Sequence, residues 1–271
     1  MIEKIDVQNF SVVIDDGPIS NFYLNYFLQK NIKPRQIYYL YKKKIYINKI
    51  DILLNFAKNN YHALRLMKYN CCKNLIEEAE KFFKFNTGFC FKSYSFSKLS
   101  MFNSKFVSDP DINSKKLYNI LKNDTASFIL NTSNKILKHI LNINKIFIHI
   151  HPAYLPDVRG ADGTLNSILK KNCLGASAFI MNSKIDEGII LAREKYDIPN
   201  FKTSMDELSL KDKYRVWYSF IDPFVRIKML DKIFYNELVE IKQLASDGKY
   251  FGFLSENEII NAFDKVFKFN K

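Results

Sequence analysis

IFIHIHPAYLPDVRGADG (residues 146–163) contains the clearest strand in the chain. Through Lys145–His151, isoleucines alternate with Phe147, His149 and His151, which is the period of two of a β-strand. Ile146, Ile148 and Ile150 fall on one face, which reads as core. Phe147, His149 and His151 share the other, about 6.6 Å apart at each step of two. The strand then enters a turn-rich stretch from Pro152 to Gly160. Two imidazoles on one face at the carboxyl end of a strand, beside a proline-rich loop, sit where open α/β sheets place their ligands.

Upstream, Phe10–Ile14 (FSVVI) reads as a strand and Asp15–Pro18 as a turn. Asn21–Gln29 then carries Phe22, Leu24, Phe27 and Leu28 at helical spacing, and Gln36–Tyr41 (QIYYLY) reads as a second strand. Strand, helix and strand at this spacing form a βαβ unit and predict a parallel sheet. Helices are expected over Asp51–Lys68, Leu75–Phe85, Leu117–Leu121, Ser133–Leu141, Gly163–Lys171 and Pro223–Tyr235. Strands are expected at Phe89–Tyr94, Ala126–Asn131 and Ala176–Met181. Ser204 with Glu207, and Ser255 with Glu258, fit capping boxes; the second opens an amphipathic helix to about Phe267. The expected fold is α/β, a Rossmann-like, mostly parallel sheet flanked by helices over residues 1–200. Residues 201–271 are expected to be a short, mainly helical C-terminal extension packed on it.

Composition excludes several classes. Of 271 residues, 47% are hydrophobic and 25% charged, the mixture of a globular chain with a large core rather than a disordered one. No apolar run approaches the ~20 residues of a membrane helix. The opening MIEKIDVQNF has no basic stretch followed by an apolar one, so the chain reads as cytoplasmic with no membrane partner. The net charge is +13, and residues 1–200 hold 29 Lys and Arg against 17 Asp and Glu. Such a surface attracts phosphates or an anionic ligand. Only six of the basic residues are arginine, the residue favoured for bidentate recognition of bases and phosphates, so nucleic acid is not the expected partner. The four cysteines show no CxxC spacing and read as free, mostly buried thiols.

IFIHIHPAYLPDVRGADG together with the later GASAFIMNSKIDEGIIL resembles the core signature of the folate-dependent formyltransferases, a family that includes the sugar N-formyltransferases and the catalytic domain of methionyl-tRNA formyltransferase. The matching residues are His151-Pro152, Leu155-Pro156, Arg159-Gly160 and Ile185-Asp186-Glu187-Gly188-Ile189-Ile190. The resemblance covers residues 126–198 well, the first 125 only through the βαβ pattern, and the last 70 hardly at all. It implies a formyltransferase-like fold with 10-formyltetrahydrofolate as formyl donor. The implied acceptor is a primary amine on a small, phosphorylated molecule, first of all an amino-sugar nucleotide; the oligomeric state stays open, with a homodimer among the alternatives.

The resemblance makes His151 the catalytic histidine and Asp186 the carboxylate that partners it, raising its pKa. His149 stands where the family has asparagine, and its imidazole N–H would be the donor to the oxyanion. Phe128, Leu130 and Asn131 precede the catalytic strand where the family lines its folate pocket. Gly17, Ser20 and Asn21, at the first strand-to-helix turn, offer donors to a substrate phosphate, or form a plain turn. Arg159 meets an anion or orders its own loop. No metal is expected. Two further readings stay open: a metal-dependent hydrolase using His149, His151 and Asp186 as ligands, and a non-catalytic folate- or nucleotide-binding relative.

Overall fold

A computed structural model describes residues 6, 9–44, 48–88 and 95–267. In chain order the strands are β1 (Phe10–Ile14), β2 (Ile37–Leu40), β3 (Ser104–Val107), β4 (Phe128–Asn131), β5 (Ile146–His151), β6 (Val158–Gly160), β7 (Leu174–Ile180), β8 (Ile190–Tyr196) and β9 (Lys249–Phe251). The helices are α1 (Pro18–Gln29), α2 (Asn48–Asn59), α3 (Tyr61–Leu66), α4 (Asn70–Phe83), α5 (Ser95–Leu99), α6 (Lys115–Lys122), α7 (Gly163–Lys171), α8 (Leu210–Val216), α9 (Asp222–Tyr235) and α10 (Glu256–Val266).

Among the described residues, seven strands form one sheet in the order β3-β2-β1-β4-β5-β7-β8, and β6 pairs with β9 in a separate two-stranded ribbon. The first five are parallel, while β7 runs antiparallel to β5 and to β8. Both faces are covered, so every residue of β1 is buried, as expected for a central parallel strand. On one face Ile148 and Ile150 join Val12, Leu130 and the apolar side chains of α1 and α9. On the other, Phe147 packs with Val13, Ile129 and Leu117 of α6. No helix among the described residues is long and apolar enough to cross a membrane.

The C-terminal stretch is mainly helical. α8 continues through a π-helical turn, Trp217–Ile221, into α9. Pro223 accounts for the irregularity: it has no N–H for the carbonyl four residues back, and its ring clashes there. Trp217 is fully buried and donates its indole N–H to Thr164 Oγ1 at 2.8 Å, fastening this turn to α7. α10 opens with the expected capping box, in which Ser255 and Glu258 satisfy each other's backbone N–H groups.

Other expectations are corrected. Ser133–Leu141 is not a helix; only a 3-10 turn, His139–Asn142, forms. Asn131 and Ser133 exchange side-chain-to-backbone hydrogen bonds at 3.2 and 3.0 Å, and the Lys135 N–H bonds Ser133 Oγ. These local bonds compete with a helical ladder. Ser204 opens no helix, because its hydroxyl bonds the carboxylate and N–H of Asp206; Ser209 caps α8 instead, accepting from the Asp212 N–H. The expected helix Asp51–Lys68 breaks at Asn60, whose side-chain amide donates to the carbonyls of Asp16 and Phe56. Strands β3, β6, β8 and β9 were not expected. The expected strand Phe89–Tyr94, with Cys90, lies outside the described residues. Cys71 and Cys72 are free and buried, and Cys173 is free and half-buried.

Candidate active site

In the order β3-β2-β1-β4-β5, chain connections leave in opposite directions from the β1–β4 pair, which is where open α/β sheets form a crevice. A cavity of about 650 Å³ lies there, floored by Asp15 and Gly17 after β1, Thr132 after β4, and His149 and His151 of β5. Its volume is in the range of small-molecule sites. A smaller recess lined by Ser133–Leu137, Met181 and Asn182 adjoins it through His149, Ile185 and Asp186.

The two sequence motifs meet through one carboxylate. Asp186 has a left-handed backbone conformation (φ 55°), and its Oδ2 accepts the Gly160 N–H at 2.9 Å. The same oxygen lies 3.5 Å from His151 Nδ1. Gly188 makes this turn possible, since a Cβ there would fall 1.6 Å from the Ile180 carbonyl oxygen. The other ring nitrogen of His151, Nε2, donates to the Val158 carbonyl at 3.1 Å. A proton taken up by His151 therefore enters at Nδ1, facing the carboxylate. Burial nevertheless holds the His151 pKa below its ordinary value, outweighing Asp186. This corrects the expectation of a raised pKa: desolvation of a fully enclosed imidazole exceeds the attraction of a carboxylate at 3.5 Å.

His149 is buried too. Its Nδ1–H donates to the Asn131 carbonyl at 2.9 Å, and its Nε2 lies 3.5 Å from Arg226 Nη1. Burial, then the Arg226 charge, pushes its pKa down to about 4, so the ring is neutral near pH 7.

The structure does not bring the remaining sequence candidates together in the cavity. Gly17 lines it, but its N–H is taken by Asp15 Oδ1 at 3.2 Å, and Ser20 Oγ donates to the same oxygen. Asn21 donates to Gly17 O and Asn60 Oδ1, and Ser20 and Asn21 are both fully buried. The chain's own carboxylate thus takes donors that a phosphate would need. Phe128 and Leu130 face Ile233 and Phe234 of α9 in the core, away from the cavity. Asn131 supplies its carbonyl to His149, and the lining of the recess begins at Ser133. Arg159 orders its own surroundings, donating to Gln243 Oε1 and the Leu244 carbonyl at 3.1 and 2.8 Å.

Sequence reasoning missed the wall contributed by residues 201–271. Tyr214, Tyr218, Asp222 and Arg226 all line the cavity, spaced four apart along α8, the π turn and α9. Both tyrosine hydroxyls donate to Asp162 Oδ1, at 2.7 and 3.0 Å, and Asp162 Oδ2 accepts the Leu254 N–H. Arg226 is 5% exposed; its Nε donates to Asp222 Oδ2 at 2.7 Å and its Nη1 to the Ile150 carbonyl. The available signal was the polar stripe Tyr214, Tyr218, Asp222 and Arg226, at period four through the mostly apolar stretch 216–230. Among the described residues no three His, Cys, Asp or Glu side chains are grouped to hold a metal ion, and beside His149 stands the Arg226 cation.

No family model matches the chain, and no curated protein matches it. Solved structures similar to it include a sugar N-formyltransferase from a Shewanella species, 19% identical, with 91% of this chain and 77% of that one covered and a TM-score of 0.48. A 4-N formyltransferase from Francisella tularensis is 19% identical over 91% of this chain and 76% of that one, with a TM-score of 0.49. An N-formyltransferase from Helicobacter canadensis, in complex with folinic acid and dTDP-3-aminofucose, is 15% identical over 97% of this chain and 84% of that one, with a TM-score of 0.48.

Proposed function

We propose that this chain is a folate-dependent formyltransferase that moves a formyl group from 10-formyltetrahydrofolate to the primary amine of an amino-sugar nucleotide. The observation that carries this reading is His151. It stands at the motif position on the carboxyl end of β5, inside the cavity, with an acceptor facing each ring nitrogen: the Val158 carbonyl and the Asp186 carboxylate. Nδ1, the one basic nitrogen of the neutral ring, can take the proton lost by the attacking amine and return it to the leaving nitrogen. The Asp186 carboxylate 3.5 Å away then faces the charged ring, while burial keeps the neutral form in reach.

The reduced folate supplies the formyl group; backbone groups of Ser133–Leu137 and the rim at Asn182 would hold it in the recess beside His149. The acceptor enters the larger cavity, where the Arg215 guanidinium offers charge to a diphosphate, His62 offers a ring N–H, and the exposed rings of Tyr250 and Phe253 offer stacking to a base. We read residues 201–271 as an extension that completes this acceptor side, and the reaction as cytoplasmic.

The test is incubation of the purified protein with 10-formyltetrahydrofolate and a panel of amino-sugar nucleotides. Tetrahydrofolate release is followed by absorbance and the N-formyl product by mass spectrometry. Equimolar tetrahydrofolate and formamide product is the expected result. Absence of transfer to every amine offered, with the protein folded, overturns the reading.

A further inference from the structure

The formyl-transfer reading leaves open which group meets the charge that develops on the formyl oxygen. The acceptor nitrogen forms the new C–N bond as the carbonyl pair moves onto oxygen. That pair returns as the donor's C–N bond breaks; the amine loses one proton and the donor nitrogen gains one. While charge sits on oxygen, a positioned N–H donor stabilises it. The family's asparagine is replaced by His149, and the partners of that ring limit what it can give. Its one proton in the neutral form is on Nδ1 and is spent on the Asn131 carbonyl. Nε2 then presents a lone pair, which repels an oxyanion.

We infer that the oxyanion donor of this site is the Arg226 guanidinium, and that His149 is a neutral acceptor that positions it. The inference rests on the formyl-transfer reading above. The guanidinium is held by Asp222 Oδ2 on Nε at 2.7 Å, the buried Tyr23 hydroxyl, the Ile150 carbonyl on Nη1, and His149 Nε2 at 3.5 Å from the same Nη1. The last distance is long for a hydrogen bond. That N–H is only loosely held and can be shared with an anionic oxygen beside His149. Arg226 lines the cavity and stands beside His149 on the carboxyl end of β5. Asp222 is 1% exposed, and its pairing with Arg226 keeps the guanidinium from being an isolated buried charge. The low pKa of His149 agrees with this arrangement: burial and Arg226 lower it, while Asp186 opposes them.

The test has two arms. Histidine side-chain ¹⁵N NMR of the whole protein, with no substrate, reads the tautomer and titration of His149. The expected result is an Nδ1–H tautomer that stays neutral through pH 5, with the titration moving upward in Arg226→Met. In the kinetic arm, Arg226→Met lowers kcat roughly 10²–10³-fold, as loss of one oxyanion donor does, with folate Kd little changed. Arg226→Lys keeps part of the rate because it keeps the charge. If Arg226→Met fails to fold, the double variant Asp222→Asn/Arg226→Gln, which buries no unpaired charge, replaces it.

Wild-type turnover with unchanged kcat in the Arg226 variants overturns the inference and leaves formyl transfer standing. An Nε2–H tautomer in wild type overturns it as well, since His149 would then be a donor. If wild type transfers no formyl group at all, the proposed function falls, and the NMR arm still decides whether His149 accepts from Arg226.

Discussion

Replacing His149 by asparagine should flatten the acid limb of this protein's stability curve. Burial and the Arg226 charge take the folded His149 pKa from its ordinary 6.5 down to about 4. The unfolded chain therefore binds a proton between these values that the folded protein refuses. Stability is lost as pH falls below the unfolded value, and above it the histidine contributes no pH dependence. With these two pKa values the linkage relation puts the loss from this one residue at about 2 kcal/mol by pH 5 and about 3 kcal/mol by pH 4. The assay is urea unfolding of wild type and His149→Asn at pH 7, 5 and 4, reading how the difference between the two proteins changes with pH. Any fixed cost of the substitution appears equally at pH 7, and His151 and His62, also lowered by burial, are present in both proteins. The variant should gain on wild type by the amounts above as pH falls. If both proteins lose stability in parallel, His149 is not a buried neutral imidazole, and its pairing with Arg226 has been misread.

Three further outcomes follow from the site and its supports. His151→Ala should abolish formyl transfer while leaving folate binding within a few-fold, measured by tetrahydrofolate release and by titration; retained turnover would remove His151 from the chemistry. Gly188→Ala sets a methyl carbon 1.6 Å from the Ile180 carbonyl oxygen, so the turn carrying Asp186 must move. A destabilisation of at least about 3 kcal/mol is expected in urea, at or beyond the upper end of ordinary overpacking. Ser255→Ala removes one half of the α10 capping box, and should cost about 1 kcal/mol, seen as a fall in Tm of roughly 2–4 °C.

The alternation of Lys145–His151, the FSVVI strand and the Ser255–Glu258 box were legible in the sequence because each is a local pattern. Period two places His149 and His151 on one face whatever surrounds them, and a hydroxyl three residues before a glutamate caps a helix from within its own turn. Asp186 as the partner of His151 comes from the resemblance of the HPxxLPxxRG and IDEG stretches to the formyltransferase signature, not from a local rule. In the structure Asp186 Oδ2 accepts the Gly160 N–H and lies 3.5 Å from His151 Nδ1. Local pattern misled where side chains had closer partners. Ser133 and Ser204 look like helix starts, but Asn131 and Asp206 take their hydrogen bonds first. What only the tertiary structure decided is the state of the site. Arg226 reaches His149 from 77 residues away on α9, and no local rule says which helix will roof a sheet. The carboxylate that the resemblance places beside His151 argues for a raised pKa. The enclosing walls are not visible in the sequence, and burial inside them reverses the sign. Desolvation is a property of everything packed around a group, so it exists only once the chain has closed over it.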